Sequence, residues 1–82
     1  MDEQQIFQEM VKILEPYVKD PALLQTATKE THILDDLKVN SARLVDVIIM
    51  CEDVFDIEVD DDDADGIKTI GDAVVIISRK LH

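Results

Sequence analysis

Tryptophan is absent from this 82-residue chain, and cysteine, at position 51, occurs once. A lone cysteine excludes an internal disulfide and suits a reducing compartment, so a cytoplasmic location is expected. Two glycines and two prolines are too little turn punctuation for a hairpin-rich β fold, which favours helices. Bases are scarce, 8 against 19 acids, giving a net charge of −11. Nucleic-acid phosphates would be repelled by such a surface, so nucleic acid is excluded as a partner. Basic protein surfaces or cations fit it instead. No apolar run approaches the ~20 residues needed to span a bilayer, and no membrane insertion is expected. The start, M-D-E-Q-Q, lacks the basic and apolar regions of a secretory signal. What is present is 46 % apolar residues, enough for one core. The expectation is a single domain over 1–82, near the lower size limit for a stable core, with monomer the default for so charged a chain.

Asp2 and Glu3 place negative charge where a first helix would begin, and Ile6, Met10, Ile13, Leu14 and Tyr17 follow at helical spacing. Pro16 would clash with the carbonyl four residues back, ending or kinking the helix near Glu15. From 19 to 39 the apolar spacing is too irregular for one helix, and Thr26, Thr28 and Thr31 compete for backbone hydrogen bonds. A long loop is expected there, pinned by Leu23 or Leu24 at one end and by Ile33, Leu34 and Leu37 at the other. A second helix is predicted over about 41–55, begun by Asn40 or Ser41 as N-cap. Its apolar residues, Ala42, Val45, Val47, Ile48, Ile49, Cys51, Val54 and Phe55, cover more than the usual stripe. Such a helix is either wrapped by the domain or docks its spare face on a partner. D-I-E-V reads as an extended connector, and Asp60 to Gly66 as one short acidic helical turn. Thr69 with Asp72 resembles a capping box opening a last helix, which runs to about Lys80. The fold class is all-α: a small bundle of three main helices and one short one.

Ser41, at the mouth of the second helix, is the one position where chemistry can be hung; its plain alternative is a helix cap. His32 and His82 are the only histidines, and nothing else supports a hydrolase triad. The segment L-D-D-L-K-V-N-S-A is similar to the acyl carrier protein pattern D-L-G-x-D-S-L, whose serine carries a 4′-phosphopantetheine arm. V-F-D-I-E-V resembles the family's E-F-D-I-E-I, and D-D-D-A-D-G-I-K-T-I-G-D-A-V its D-E-D-A-E-x-I-T-T-V-G-D-A-I. Three segments in the right order, from about Ile33 onward, make the resemblance specific.

The resemblance implies a non-catalytic carrier with Ser41 as attachment site, modified by a phosphopantetheinyl transferase. Its cargo would be acyl thioesters, exchanged with acyl-loading, condensing or acyl-transfer enzymes through their basic patches. It implies a docking surface of Asn40, Ala42, Arg43, Val45, Asp46, Ile49, Glu52 and Asp53. An acyl pocket and core would be formed by Val47, Cys51, Phe55, Ile67 and Ile76. Three departures stand out. Asn40 replaces the usual Asp, which helps the transferase hold its metal; Ala42 replaces Leu; Arg43 stands where an acid is common. Reversed charge penalises wrong partners, so a dedicated lipid or secondary-metabolite pathway is expected, with ordinary fatty-acid synthesis the alternative. Val47 and Cys51 are smaller than the family's frequent Leu, which would leave room for a bulky or branched acyl group unless Ile48, Met50 and Ile76 fill it.

Rival readings come from other classes. Cys51 invites a nucleophile or redox role, against that of a small buried hydrophobe. Eight of the twelve residues from Glu52 to Asp63 are acidic. Asp61, Asp63, Asp65, Gly66 and Asp72 overlay an EF-hand loop, although position twelve lacks the longer Glu and no entering helix precedes it. The remaining alternative is a carrier-like docking module that is never modified.

Overall fold

The computed structural model describes Met1 to Leu81. Helix α1 spans Glu3–Leu14, α2 Ala22–Gln25, α3 Leu44–Phe55, α4 Asp61–Asp65 and α5 Ile70–Leu81. Among the described residues there is no strand, only an isolated bridge between His32 and Thr69.

Helices α1 and α5 start where side chains satisfy orphan N–H groups of the first turn, whereas α3 continues from a preceding 3₁₀ turn with no side-chain cap of its own. Asp2 and Gln5 form a reciprocal capping box on α1, at 2.8 and 3.0 Å. On α5 the box is built from Thr69 and Asp72: Asp72 N–H donates to Thr69 Oγ1, and Asp72 Oδ2 accepts from the N–H of Thr69 and of Lys68. Pro16 does end α1, which gives way at Glu15 to a single 3₁₀ turn through Tyr17. Asp56 closes α3 in the left-handed region, φ 53°.

One short helix is expected; among the described residues there are two. Within the expected long loop, Ala22–Gln25 forms a single turn started by Asp20, whose Oδ1 accepts the Ala22 N–H, and by Pro21 with its preset φ of −59°. Four residues are too few to show an apolar period. The rest of the loop is pinned by Ile33, Leu37 and Val39, all buried, while Leu34, expected among the anchors, is exposed. The pinning has a backbone component as well. Ile33 N–H donates to Lys68 O, Ile70 N–H to Thr31 O and Gly71 N–H to Lys29 O, at 2.9–3.0 Å. Gly71 is required by this approach, because a Cβ there would stand 2.7 Å from Lys29 O.

The core joins Ile6, Met10, Ile13 and Leu14 of α1 to Val47, Cys51 and Phe55 of α3 and to Ile70, Ala73, Val74 and Ile77 of α5. No polar side chain is buried among the described residues, so the core makes no demand for internal hydrogen-bond partners. Lys80 Nζ, 2.8 Å from Asp63 Oδ2, ties the end of α5 to α4 and holds the Asp63 carboxyl below its usual range.

Candidate functional site at the mouth of α3

A 3₁₀ turn, Ser41–Arg43, leads into α3. Asn40, with extended backbone, caps it: its Oδ1 accepts the Ala42 N–H at 2.9 Å. The capping role therefore falls to Asn40, and Ser41 is exposed with its hydroxyl free of hydrogen bonds among the described residues. The plain alternative for Ser41, a helix cap, is removed. No hydrogen bond joins Ser41 to His32 among the described residues; the His32 ring Nδ1 lies 3.6 Å from Asp36 Oδ2.

Behind the mouth, Val47 and Cys51 of α3 meet Ile76 of α5 and Ile67 of the connector before it, around a narrow apolar seam of about 10 Å³. Phe55 is buried in the core but does not line this seam. The spare room expected from small Val47 and Cys51 is not there. Met10 of α1 fills it, with its Sδ 3.3 Å from Cys51 Sγ. Met50, expected as a filler, points outward and is 41 % exposed. Flexible, unbranched methionine fits an irregular gap that a branched side chain would not.

The outer face of α3 presents Val45 and Ile49, 60 % and 56 % exposed, one helical turn apart. Arg43 and Asp46 flank them as an exposed pair at 3.2 Å, and Asp53 is exposed on the following turn. Ala42 is exposed beside Ser41. Glu52 departs from the expected outward role. It is half-buried, and its Oε2 accepts the Val59 N–H at 3.0 Å, fastening the 57–59 connector to α3.

The same arrangement of helices is found in known proteins. The acyl carrier protein of Enterococcus faecalis superposes with a TM-score of 0.79 at 29 % identity, over 98 % of this chain and 99 % of that one. The acyl carrier protein of Coprothermobacter proteolyticus is 36 % identical across this whole chain and 98 % of its own length. That of Phenylobacterium zucineum is 36 % identical over 84 % of each chain. This chain belongs to the acyl carrier protein family. No family model matches it. Acyl carrier proteins are carriers rather than enzymes, with a general role in fatty acid biosynthesis.

Within this carrier, burial and then the nearby Glu52 charge push the Cys51 thiol up to about 12. A thiol so held supplies almost no thiolate near neutral pH, which removes the nucleophile reading. The EF-hand pattern also dissolves. Asp61, Asp63 and Asp65 lie on a helix rather than a loop wrapped round an ion, and the Asp72 carboxylate is committed to two backbone N–H groups. Those hydrogen bonds hold Asp72 below the usual carboxylate range. No helix of the described residues is long and apolar enough to cross a membrane.

Sequence reasoning missed Met10 as the seam's filler, because contacts between α1 and α3 leave no local signature. It also missed a cleft beside the mouth, lined by Pro16, Tyr17, Lys19, Lys38, Asn40 and Arg43. The signal for that cleft was present: Lys38 stands where the family pattern has glycine.

Proposed function

We propose that this protein carries acyl intermediates as thioesters on a 4′-phosphopantetheine arm attached through Ser41, within one domain spanning 1–82. The observation that carries this reading is Ser41 itself, exposed at the helix mouth with its hydroxyl left free because Asn40 supplies the cap. The arm supplies a terminal thiol on a flexible tether, raising the effective concentration of its cargo at each docked active site. Val45 and Ile49 provide apolar contact, and Asp46 and Asp53 the charge that basic patches on a transferase and on loading, condensing or acyl-transfer enzymes would meet. The seam lined by Val47, Cys51, Ile67 and Ile76 receives the acyl chain once Met10 and the helices around it move apart. Each methylene buried there contributes about 0.8 kcal/mol. Asn40, Ala42 and Arg43 alter the surface that partners read, which favours a dedicated lipid or secondary-metabolite pathway in the cytoplasm.

The inert Cys51 gives a clean test. Native unmodified protein should show no thiol reactive towards Ellman's reagent, and protein treated with coenzyme A and a broad-specificity transferase should gain one. Ser41→Ala should gain none. An unchanged thiol count in the treated parent would leave Ser41 without this role.

A further inference from the structure

The cleft beside the Ser41 mouth, about 450 Å³ and open to solvent, runs against the charge of the whole molecule. Its charged lining residues are Lys19, Lys38 and Arg43, all basic, in a chain with 19 acids and 8 bases. The acids nearest in sequence lie outside its walls. Asp20 Oδ1 accepts the Ala22 N–H, and Asp36 Oδ2 accepts the His32 N–H. Neither they nor Glu15 line the cleft. Arg43 shares its charge with Asp46, but Lys19 and Lys38 form no ion pair among the described residues. Tyr17 and Asn40 add a hydroxyl and an amide to the walls.

Lys38 occupies this wall with φ 58°, in the left-handed region that favours glycine. Glycine is what D-L-G-x-D-S-L has there. A strained lysine in place of glycine, an uncharged Asn40 in place of Asp and Arg43 in place of an acid all raise the local charge. All three line this one cleft. Departures that are separate in sequence thus converge on one electropositive site.

We infer that this cleft is a seat for a phosphoester, and that its occupant is the phosphodiester through which the arm would join Ser41. The inference rests on the carrier reading of Ser41. Lysine ammonium groups attract phosphate as point charges, and the arginine fork can donate to two of its oxygens. A phosphodiester on the residue next to Asn40 is supplied in cis, so a shallow exposed site is enough to hold it.

The test uses ¹⁵N-labelled full-length protein, before and after loading with coenzyme A and a transferase, followed by amide spectra. Lys19 and Tyr17 are the reporters because they are remote in sequence from Ser41. Loading should shift both amides at low salt. The shifts should fall by about half or more in roughly 300 mM NaCl, where the screening length is well under 10 Å. Lys38→Gln should reduce them similarly. Lys38→Gly should do the same while relieving the backbone, which separates lost charge from a damaged fold. Changes confined to residues 40–43 and indifferent to salt in the loaded protein would overturn the seat alone. So would equal shifts in unmodified protein on adding equimolar inorganic phosphate, which would make the cleft a site for free anions. Failure to load at all would remove the carrier reading, and the seat with it.

Discussion

Met10 is the residue whose truncation should say most about how a cargo is accommodated. It is 1 % exposed, lines the seam and lies against Cys51 across the α1–α3 contact. Removing a buried methionine side chain to alanine costs roughly 2–5 kcal/mol, from lost transfer energy and the cavity left behind. A chain of 82 residues has a total stability of about 4–12 kcal/mol. Met10→Ala should therefore remove a large share of it, lowering Tm by roughly 4–8 °C for each kcal/mol. Met10→Leu keeps the volume and should cost under about 1.5 kcal/mol. The two losses differ in how cargo repairs them. An acyl chain entering the emptied seam recovers about 0.8 kcal/mol for each methylene buried. The Tm gap between acylated and unacylated protein should thus be wider in Met10→Ala than in the parent. Urea unfolding of the unacylated proteins and calorimetry of both forms measure these quantities. A cost below about 1 kcal/mol for Met10→Ala, or an unchanged gap on acylation, would refute Met10 as the filler of a cargo-accepting seam.

Gly71→Ala brings a Cβ to 2.7 Å from the Lys29 carbonyl oxygen, and that backbone must shift to admit it. A loss of about 1–3 kcal/mol in urea unfolding is expected; an unchanged midpoint would show that the loop gives way freely. Cys51, with its thiol at about 12, is ionised to only about one part in ten thousand at pH 8, and it is buried as well. Alkylation by iodoacetamide should accordingly occur only through unfolding and speed up in step with added urea; rapid modification in native buffer would contradict this. Asp72 holds its proton less tightly folded than unfolded, so its contribution is present above the unfolded value near 3.8 and is lost as pH falls through its lower folded value. Asp72→Asn should lose part of that acid-side slope in stability against pH, and identical slopes in parent and variant would sink the assignment.

Much of the fold was legible because its signals are local. Pro16, the Thr69–Asp72 cap, and the apolar periods of α1 and α5 each act within a few residues, whereas Asp2 was read only as helix-start charge and its capping box with Gln5 was not. The α2 turn was not, since four residues carry no period and its start depends on Asp20 and Pro21 together. At the site, Ser41 was legible from its place before an apolar run, but the choice of cap between Asn40 and Ser41 is a matter of side-chain geometry. Glu52 read as one more surface acid, whereas its bond to Val59 depends on how the chain turns back after Asp56. Met10 and the Lys19–Lys38 cleft join segments far apart in sequence, and no spacing rule brings them together.

The carrier reading turns on Ser41, and intact-mass spectrometry after incubation with coenzyme A and a broad-specificity phosphopantetheinyl transferase tests it most directly. The parent should gain the mass of one phosphopantetheine and Ser41→Ala none. Asn40→Asp, which restores a charged oxygen beside the serine, should gain it faster. No gain on the parent with any transferase tried would contradict the carrier role and leave the exposed face of α3 as the docking surface of an unmodified protein.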